Sequence, residues 1–355
     1  MFSIEGPAMS RPSTILSILL LGLSAASADQ LVSFKDKTIT MIVASSAGGG
    51  TDSSARVIAP LLAGYLPGNP TVIVRNIPGA QGITAMNYFV RQVAPDGLTV
   101  TMGSSTIADP LLYRRPQSQF DPATFRTIGG VGRGGTTLVI RKDAEERLHG
   151  KGAPVTMGAL GGVPRSGMLM TAWGIEFLGW NARWVLGYRG TNELMLALER
   201  GEIDMTSTAN LFQIQKLLDS GKVKFLSQSG TWQKGKFSAR PEFDGAPIFS
   251  AMMLGKIENP LALQAFDYWA GMTSIDKWIA LPPKTPQPLV QTYRDAYSTA
   301  FANPASAQLG KRISEDFEPV AYDDVDFLIE KLGSTQPEAI AYISAMLRRQ
   351  GIDAE

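Results

Sequence analysis

From Thr38 onward the chain alternates short runs of β-branched and apolar residues with longer stretches whose apolar positions recur every three or four residues. Thr38–Ala44 reads as a strand; Ile58, Leu61, Leu62, Tyr65 and Leu66 mark one helical face; Thr71–Arg75 reads as the next strand. A second helical face, with Ile83, Met86, Phe89, Val90 and Val93, leads to a strand at Leu98–Met102. This βαβαβ order predicts a doubly wound α/β fold with a parallel sheet, because parallel neighbours need a crossover connection. Pro60 falls inside the first helical pattern. A proline there removes a backbone donor, so the helix is expected to kink or stop.

Gly129-Gly130-Val131-Gly132-Arg133-Gly134-Gly135 reads as a flexible stretch where the chain leaves this first domain, and Thr136–Ile140 reads as the strand that follows. A second alternating series then begins. Strand-like Val155–Met157, Arg183–Leu186, Ile203–Thr206 and Val223–Ser227 are separated by helical stretches around Met168–Leu178, Asn192–Leu198 and Leu211–Leu217. Lys277–Leu281 looks like a strand returning to the first domain, and Pro288–Phe301 carries Val290, Tyr293, Tyr297, Ala300 and Phe301 on one helical face, before two more helical stretches. The implied organisation is two α/β lobes around a hinged cleft: residues 29–138 and 279–355 in the first lobe, 139–278 in the second.

The first 28 residues follow a different pattern. Arg11 precedes the apolar run Ile15–Leu23, and small residues end at Ala26-Ser27-Ala28. This is the layout of a cleaved secretory signal, and the run is about half the ~20 residues a membrane span needs. Glu5 suits a basic leader poorly, which points to Met9 as the start. No cysteine follows to carry a lipid. The expectation is therefore an exported protein without a membrane anchor.

Composition narrows the chemistry. The formal charge is +1, from 33 basic and 32 acidic residues, which gives no footprint for nucleic acid. With no Cys and a single His, His149, thiolate chemistry is excluded, and a catalytic triad or a multi-histidine metal site nearly so. No carboxylate pair shows the spacing of acid/base catalysis. Neither a catalytic residue nor a cofactor is expected. His149 reads as a surface residue; Met157, Met168 and Met170, with Trp173, Trp180 and Trp184, read first as packing residues.

What remains is a set of polar, glycine-rich loops at strand ends, where ligands bind in open α/β sheets. Ser45-Ser46-Ala47-Gly48-Gly49-Gly50-Thr51-Asp52 joins strand one to helix one, and its backbone amides could cradle a carboxylate or phosphate. As a turn with an N-cap at Thr51 or Asp52 it would look the same. It is not a Walker loop, since no Lys follows the glycines. Arg75-Asn76-Ile77-Pro78-Gly79-Ala80-Gln81-Gly82 takes the equivalent place after strand two and Gly103-Ser104-Ser105-Thr106 follows strand three, so the three loops share one rim. In the second lobe the corresponding loops are Gly158–Gly167, with Arg165 as a candidate carboxylate fork, Tyr188–Asn192, and Asp204–Thr208.

Taken in order, these segments resemble a known family. Ala47–Asp52, Asn76–Ala80 and Ala94-Pro95-Asp96-Gly97-Leu98-Thr99, then Tyr188-Arg189-Gly190 with Gly201-Glu202-Ile203-Asp204, and finally Leu281–Pro286, are similar to the signature of the tripartite tricarboxylate transporter solute receptors. The resemblance implies a two-lobed periplasmic binding protein of the type II, Venus-flytrap class, each lobe a mainly parallel sheet flanked by helices. It also implies a monomeric, periplasmic receptor that closes on a small organic acid and hands it to the membrane permease subunits of a tripartite transporter. By position, the ligand contacts would come from Ser46, Ala47, Gly48, Gly49, Gly50, Thr51, Asp52, Asn76, Gly79, Ser104 and Ser105 on the first lobe. Gly161, Gly162, Arg165, Ser166, Asp204, Thr206 and Ser207 would supply the second. The turn at Gly162–Ser166 departs from the family's Ser/His-rich one. A receptor of the same shape reporting to a membrane sensor is the alternative. An α/β enzyme holding a phosphate at Gly48–Gly50 lacks a nucleophile–base pair.

Overall fold

The computed structural model describes residues 32–354 except positions 49, 134, 151, 161, 165, 189–190, 209–210, 234–235 and 311–316. The expected signal at 1–28 lies outside the described residues. Among them, no helix is long and apolar enough to cross a membrane.

Two sheets organise the chain. The first contains β1 (Thr38–Val43), β2 (Thr71–Asn76), β3 (Thr99–Ser104), β4 (Arg126–Arg133), β12 (Lys277–Leu281) and β13 (Phe317–Val320), in the spatial order β13-β4-β12-β3-β1-β2. The second contains β5 (Thr137–Arg141), β6 (Val155–Leu160), β7 (Ala182–Tyr188), β8 (Met205–Thr208) and β9 (Val223–Gln228), in the order β7-β6-β8-β5-β9. A hairpin of β10 (Thr231–Gln233) and β11 (Lys236–Ser238) stands apart. In each sheet four strands run one way. β12 and β13 oppose them in the first sheet, and β5 opposes them in the second.

Strand alternation places the cores. Ile39, Met41 and Val43 face the helices Gly50–Tyr65 and Gln287–Ala302, whereas Ile42 faces Ile83–Gln92 and Tyr322–Gly333 on the other side. A separate core fills the second lobe around the fully buried Trp173, with Met157, Met168, Met170 and Trp180 in it. His149 is exposed at the end of a short helix. The helix Pro337–Arg349 places Ala339, Met346 and Leu347 in that second core, beside Ala265 and Trp269 of the helix Pro260–Ser274.

Three local expectations are corrected. The helix Gly50–Tyr65 does not stop at Pro60 but continues to Tyr65. Pro60 is exposed, so the carbonyl it leaves unbonded meets water while Ile58, Ala59 and Leu62 stay packed. The glycines 129, 130 and 132 are not a flexible stretch but part of β4, between β12 and β13. A side chain at Gly129 would lie 2.4 Å from the Tyr297 ring, and one at Gly130 2.8 Å from Val325, so their smallness lets two helices approach the strand. The strand expected at Ile203–Thr206 begins at Met205, two residues later.

The connections decide where the two sheets meet. β4 runs parallel to β1 and β3, and residues 134–136 lead from its carboxyl end into β5, whose Thr137 pairs with Thr208 at the carboxyl end of β8. On the return path Lys277 starts β12 opposite Ser104, the last residue of β3. Both crossings therefore join carboxyl ends, and the strand-end loops of the two lobes border the same region. Asp276 binds the crossing to the first sheet: its N–H donates to Val131 and its carbonyl accepts from Ser105. The buried Lys277 ammonium lies 2.5 Å from the Asp276 carboxylate.

Candidate functional site

Loops after β1, β2 and β3 enclose a cavity of about 320 Å³, within the range of small-molecule sites. Ala44, Ser45 and Thr51 come from the first loop, Gln81 from the second, and Met102, Ser104, Thr106 and Ile107 from the third strand and its extension. Side-chain hydroxyls and one amide thus line a cavity with an apolar floor. The Ser45 hydroxyl is buried and has no hydrogen-bond partner among the described residues, which marks it as available to a ligand or water.

Asp52 holds the rim together. Its carboxylate accepts from the Gly48 N–H (2.8 Å), Arg56 Nε (2.9 Å) and Asn76 Nδ2 (2.9 Å), and Asn76 Nδ2 also reaches the Ser45 carbonyl (3.0 Å). The hydrogen bond from Arg56, followed by those from Gly48 and Asn76, lowers the Asp52 pKa to about 2. Gly48 turns back onto Asp52 at φ +81, a conformation side chains rarely adopt. The first and second loops are thereby tied to each other before any ligand arrives.

Thr51 and Ser104 are thus brought to the cavity, whereas Asp52 and Asn76 are engaged behind it. Ser46, Ala47 and Gly50 are exposed on the first loop, and Gly49 lies outside the described residues. Gly79 forms the turn into the helix Ile83–Gln92, accepting from the Gly82 N–H. Ser105 donates its N–H to the crossing at Asp276, and the Ser104 carbonyl accepts from Trp278 Nε1 (3.0 Å).

On the second lobe Gly161 and Arg165 lie outside the described residues. Gly162 is exposed; Ser166 has φ +51, and its carbonyl accepts from Trp269 Nε1 (3.0 Å). Thr206 is buried, its hydroxyl on the Gly158 carbonyl (3.1 Å). Asp204 sits at the opposite end of the sheet. It precedes β8, level with Thr156 near the start of β6, and accepts from Arg147 (2.7 Å) and from the Thr156 N–H and hydroxyl (both 2.9 Å). Ser207 lies toward the rim: a side chain at Gly167 would come within 2.6 Å of its hydroxyl and 2.1 Å of the Thr136 hydroxyl. That Thr136 hydroxyl is buried without a hydrogen-bond partner among the described residues.

The residues expected as contacts did not include Ala44, Ser45, Gln81, Met102, Thr106, Ile107 or Thr136. Ser45, Gln81 and Thr106 belong to loops the strand-end rule picks out, so the signal was present. Met102 and Ile107 read only as core residues.

The model of the tripartite tricarboxylate transporter family receptor, TctC, matches residues 55–246. A UPF0065 protein of Bordetella pertussis is 28% identical over 336 residues, 90% of this chain and 93% of its own. Another UPF0065 protein, from Cupriavidus necator, is 28% identical over 80% of this chain and 81% of its own. Among solved structures, a TctC solute-binding protein from Polaromonas, crystallised without ligand, superposes with a TM-score of 0.64 at 18% identity. That match covers 89% of this chain and all of the other, and shows a shared two-lobed α/β fold.

Proposed function

The chain belongs to the receptor family of tripartite tricarboxylate transporters, and from that premise we propose that it captures a small organic acid between its lobes and delivers it, chemically unchanged, to membrane permease subunits. The observation that carries this reading is the cavity at the ends of three parallel strands, lined by neutral donors at Ser45, Thr51, Gln81, Ser104 and Thr106 over Met102 and Ile107. Neutral donors suit a carboxylate that must be released again, since they hold it less tightly than a buried ion pair would. The loops of the second lobe close over the other end of the acid, with Ser207 and Arg165 as contacts. Closure is a hinge motion that the ligand drives by binding the closed form better. The leader at 1–28 sends the receptor to the periplasm, where it works as a monomer.

The test is a melting scan of ligand-stripped protein against mono-, di- and tricarboxylates. A ligand at ~100 times its dissociation constant adds ~2.7 kcal/mol of stability, which raises the midpoint by several degrees. Such a shift for at least one acid, recovered intact by mass spectrometry, is the expected result. No shift with any acid, or chemical conversion of the one that binds, contradicts the proposal.

A further inference from the structure

Gln81 is held in an unusual way. It lies in a tight turn between Gly79 and Gly82 with φ +57 and ψ +22, and Ala80 before it has φ +46. Two successive non-glycine residues in the left-handed region are strained, and such strain persists where surrounding structure imposes it. The turn places Gln81 on the wall of the cavity. From outside, Arg115 Nη1 donates to Gln81 Oε1 at 2.9 Å, while Arg115 Nε is itself fixed on the Leu111 carbonyl at 3.1 Å.

A guanidinium has donors only, so the Gln81 oxygen, and not its nitrogen, must face Arg115. The Gln81 amide nitrogen therefore keeps both hydrogens free of Arg115, and no protein acceptor among the described residues takes them. A charged donor on the oxygen also polarises the amide and strengthens its N–H groups as donors. We propose that Gln81 is a specificity-determining residue that presents a donor-only amide to an oxygen of the bound carboxylate, and that Arg115 is the positioning residue that fixes this orientation. The inference rests on the receptor reading above and names the chemistry at one point of the same site. It makes the first-lobe end of the site selective for acceptor oxygens over ammonium groups.

The experiment is titration calorimetry of wild type, Gln81→Glu, Arg115→Met and Arg115→Lys with succinate, glutarate, malate and citrate. Gln81→Glu pairs with Arg115 but turns an oxygen toward the ligand, so the tightest-binding acid should lose at least tenfold in affinity. Arg115→Met frees the amide to flip and should cost about three- to fivefold; Arg115→Lys, which keeps a donor on the oxygen, should recover most of it. Both side chains are exposed, so ligand-free melting temperatures should stay within about two degrees of wild type. In 15N-labelled protein the Gln81 side-chain amide signal should move on titration. If wild type binds an acid and Gln81→Glu binds it within twofold, the Gln81 assignment is overturned while the receptor reading stands. If Arg115→Met alone binds like wild type, the positioning role of Arg115 is overturned. If wild type binds none of the four and shows no melting shift with the wider panel, both the inference and the receptor reading fail.

Discussion

The two strand-end rims follow the same order of strand, loop and helix, yet each places its acidic residue differently. On the first lobe Asp52 sits at the rim itself and joins two loops through Gly48, Arg56 and Asn76. On the second lobe Asp204 sits at the roots of the strands, bonded to Arg147 and Thr156, away from the rim. The difference shows two ways in which the fold takes up a carboxylate carried by a strand-end motif. One is neutralised in place and shapes the loops; the other is removed to the far end of the sheet. On the first lobe the side chains lining the cavity are neutral hydroxyls, one amide and apolar groups, and the buried hydroxyls of Ser45 and Thr136 have no hydrogen-bond partner among the described residues.

Substitution at Asp52 should break this contrast most strongly. Asp52→Ala leaves the Gly48 N–H, Arg56 and Asn76 without their acceptor, and a hydrogen bond whose freed donor can reach solvent contributes about 0.5–1.5 kcal/mol. Expected are a stability loss of about 2–3 kcal/mol in urea titrations and a carboxylate affinity reduced by more than about thirtyfold. Asp204→Ala should cost about 1–3 kcal/mol of stability for similar reasons but leave the affinity within about twofold. A binding loss as large as that of Asp52→Ala would show that Asp204 serves the site after all.

The pH dependence sharpens the same comparison. Because partners lower the folded pKa of Asp52 to about 2 from 3.8, its contribution is complete above about pH 4 and is lost as the pH falls through 2. It amounts to at most about 2 kcal/mol, reduced by the solvent around half-exposed Arg56. The stability difference between wild type and Asp52→Asn should therefore shrink between pH 4 and pH 2. A constant difference across that window would contradict the network. The smallest effect is expected at Thr136→Val, which removes a buried hydroxyl that lacks a partner among the described residues. Ligand-free stability should hold or rise by up to about 1 kcal/mol, while affinity falls about two- to tenfold. Unchanged affinity would assign that hydroxyl to the fold alone.

Much of this was legible in the sequence, because periodicity reports burial directly. The alternation at Ile39, Met41 and Val43 and the spacing of Val290, Tyr293 and Tyr297 each describe a face that is in fact buried. Where the outcome depends on a distant partner, local pattern misleads. Gly129 and Gly130 look like a flexible stretch until Tyr297 and Val325 are seen against them. Pro60 looks like a break until its exposure is known. The strand-end loops of the site were likewise readable as a rim, but the roles within it were not. Asp204 changes from rim to root through a strand that starts two residues later, and Gln81 gains its significance from Arg115, thirty-four positions away in the chain.

The most direct test of the account is a crystal structure of the protein with the carboxylic acid that gives the largest melting shift. The account predicts one carboxylate of that acid in the first-lobe cavity, within hydrogen-bond distance of the Thr51 and Ser104 hydroxyls and above Met102 and Ile107. An acid bound elsewhere, with this cavity holding only water, would contradict it.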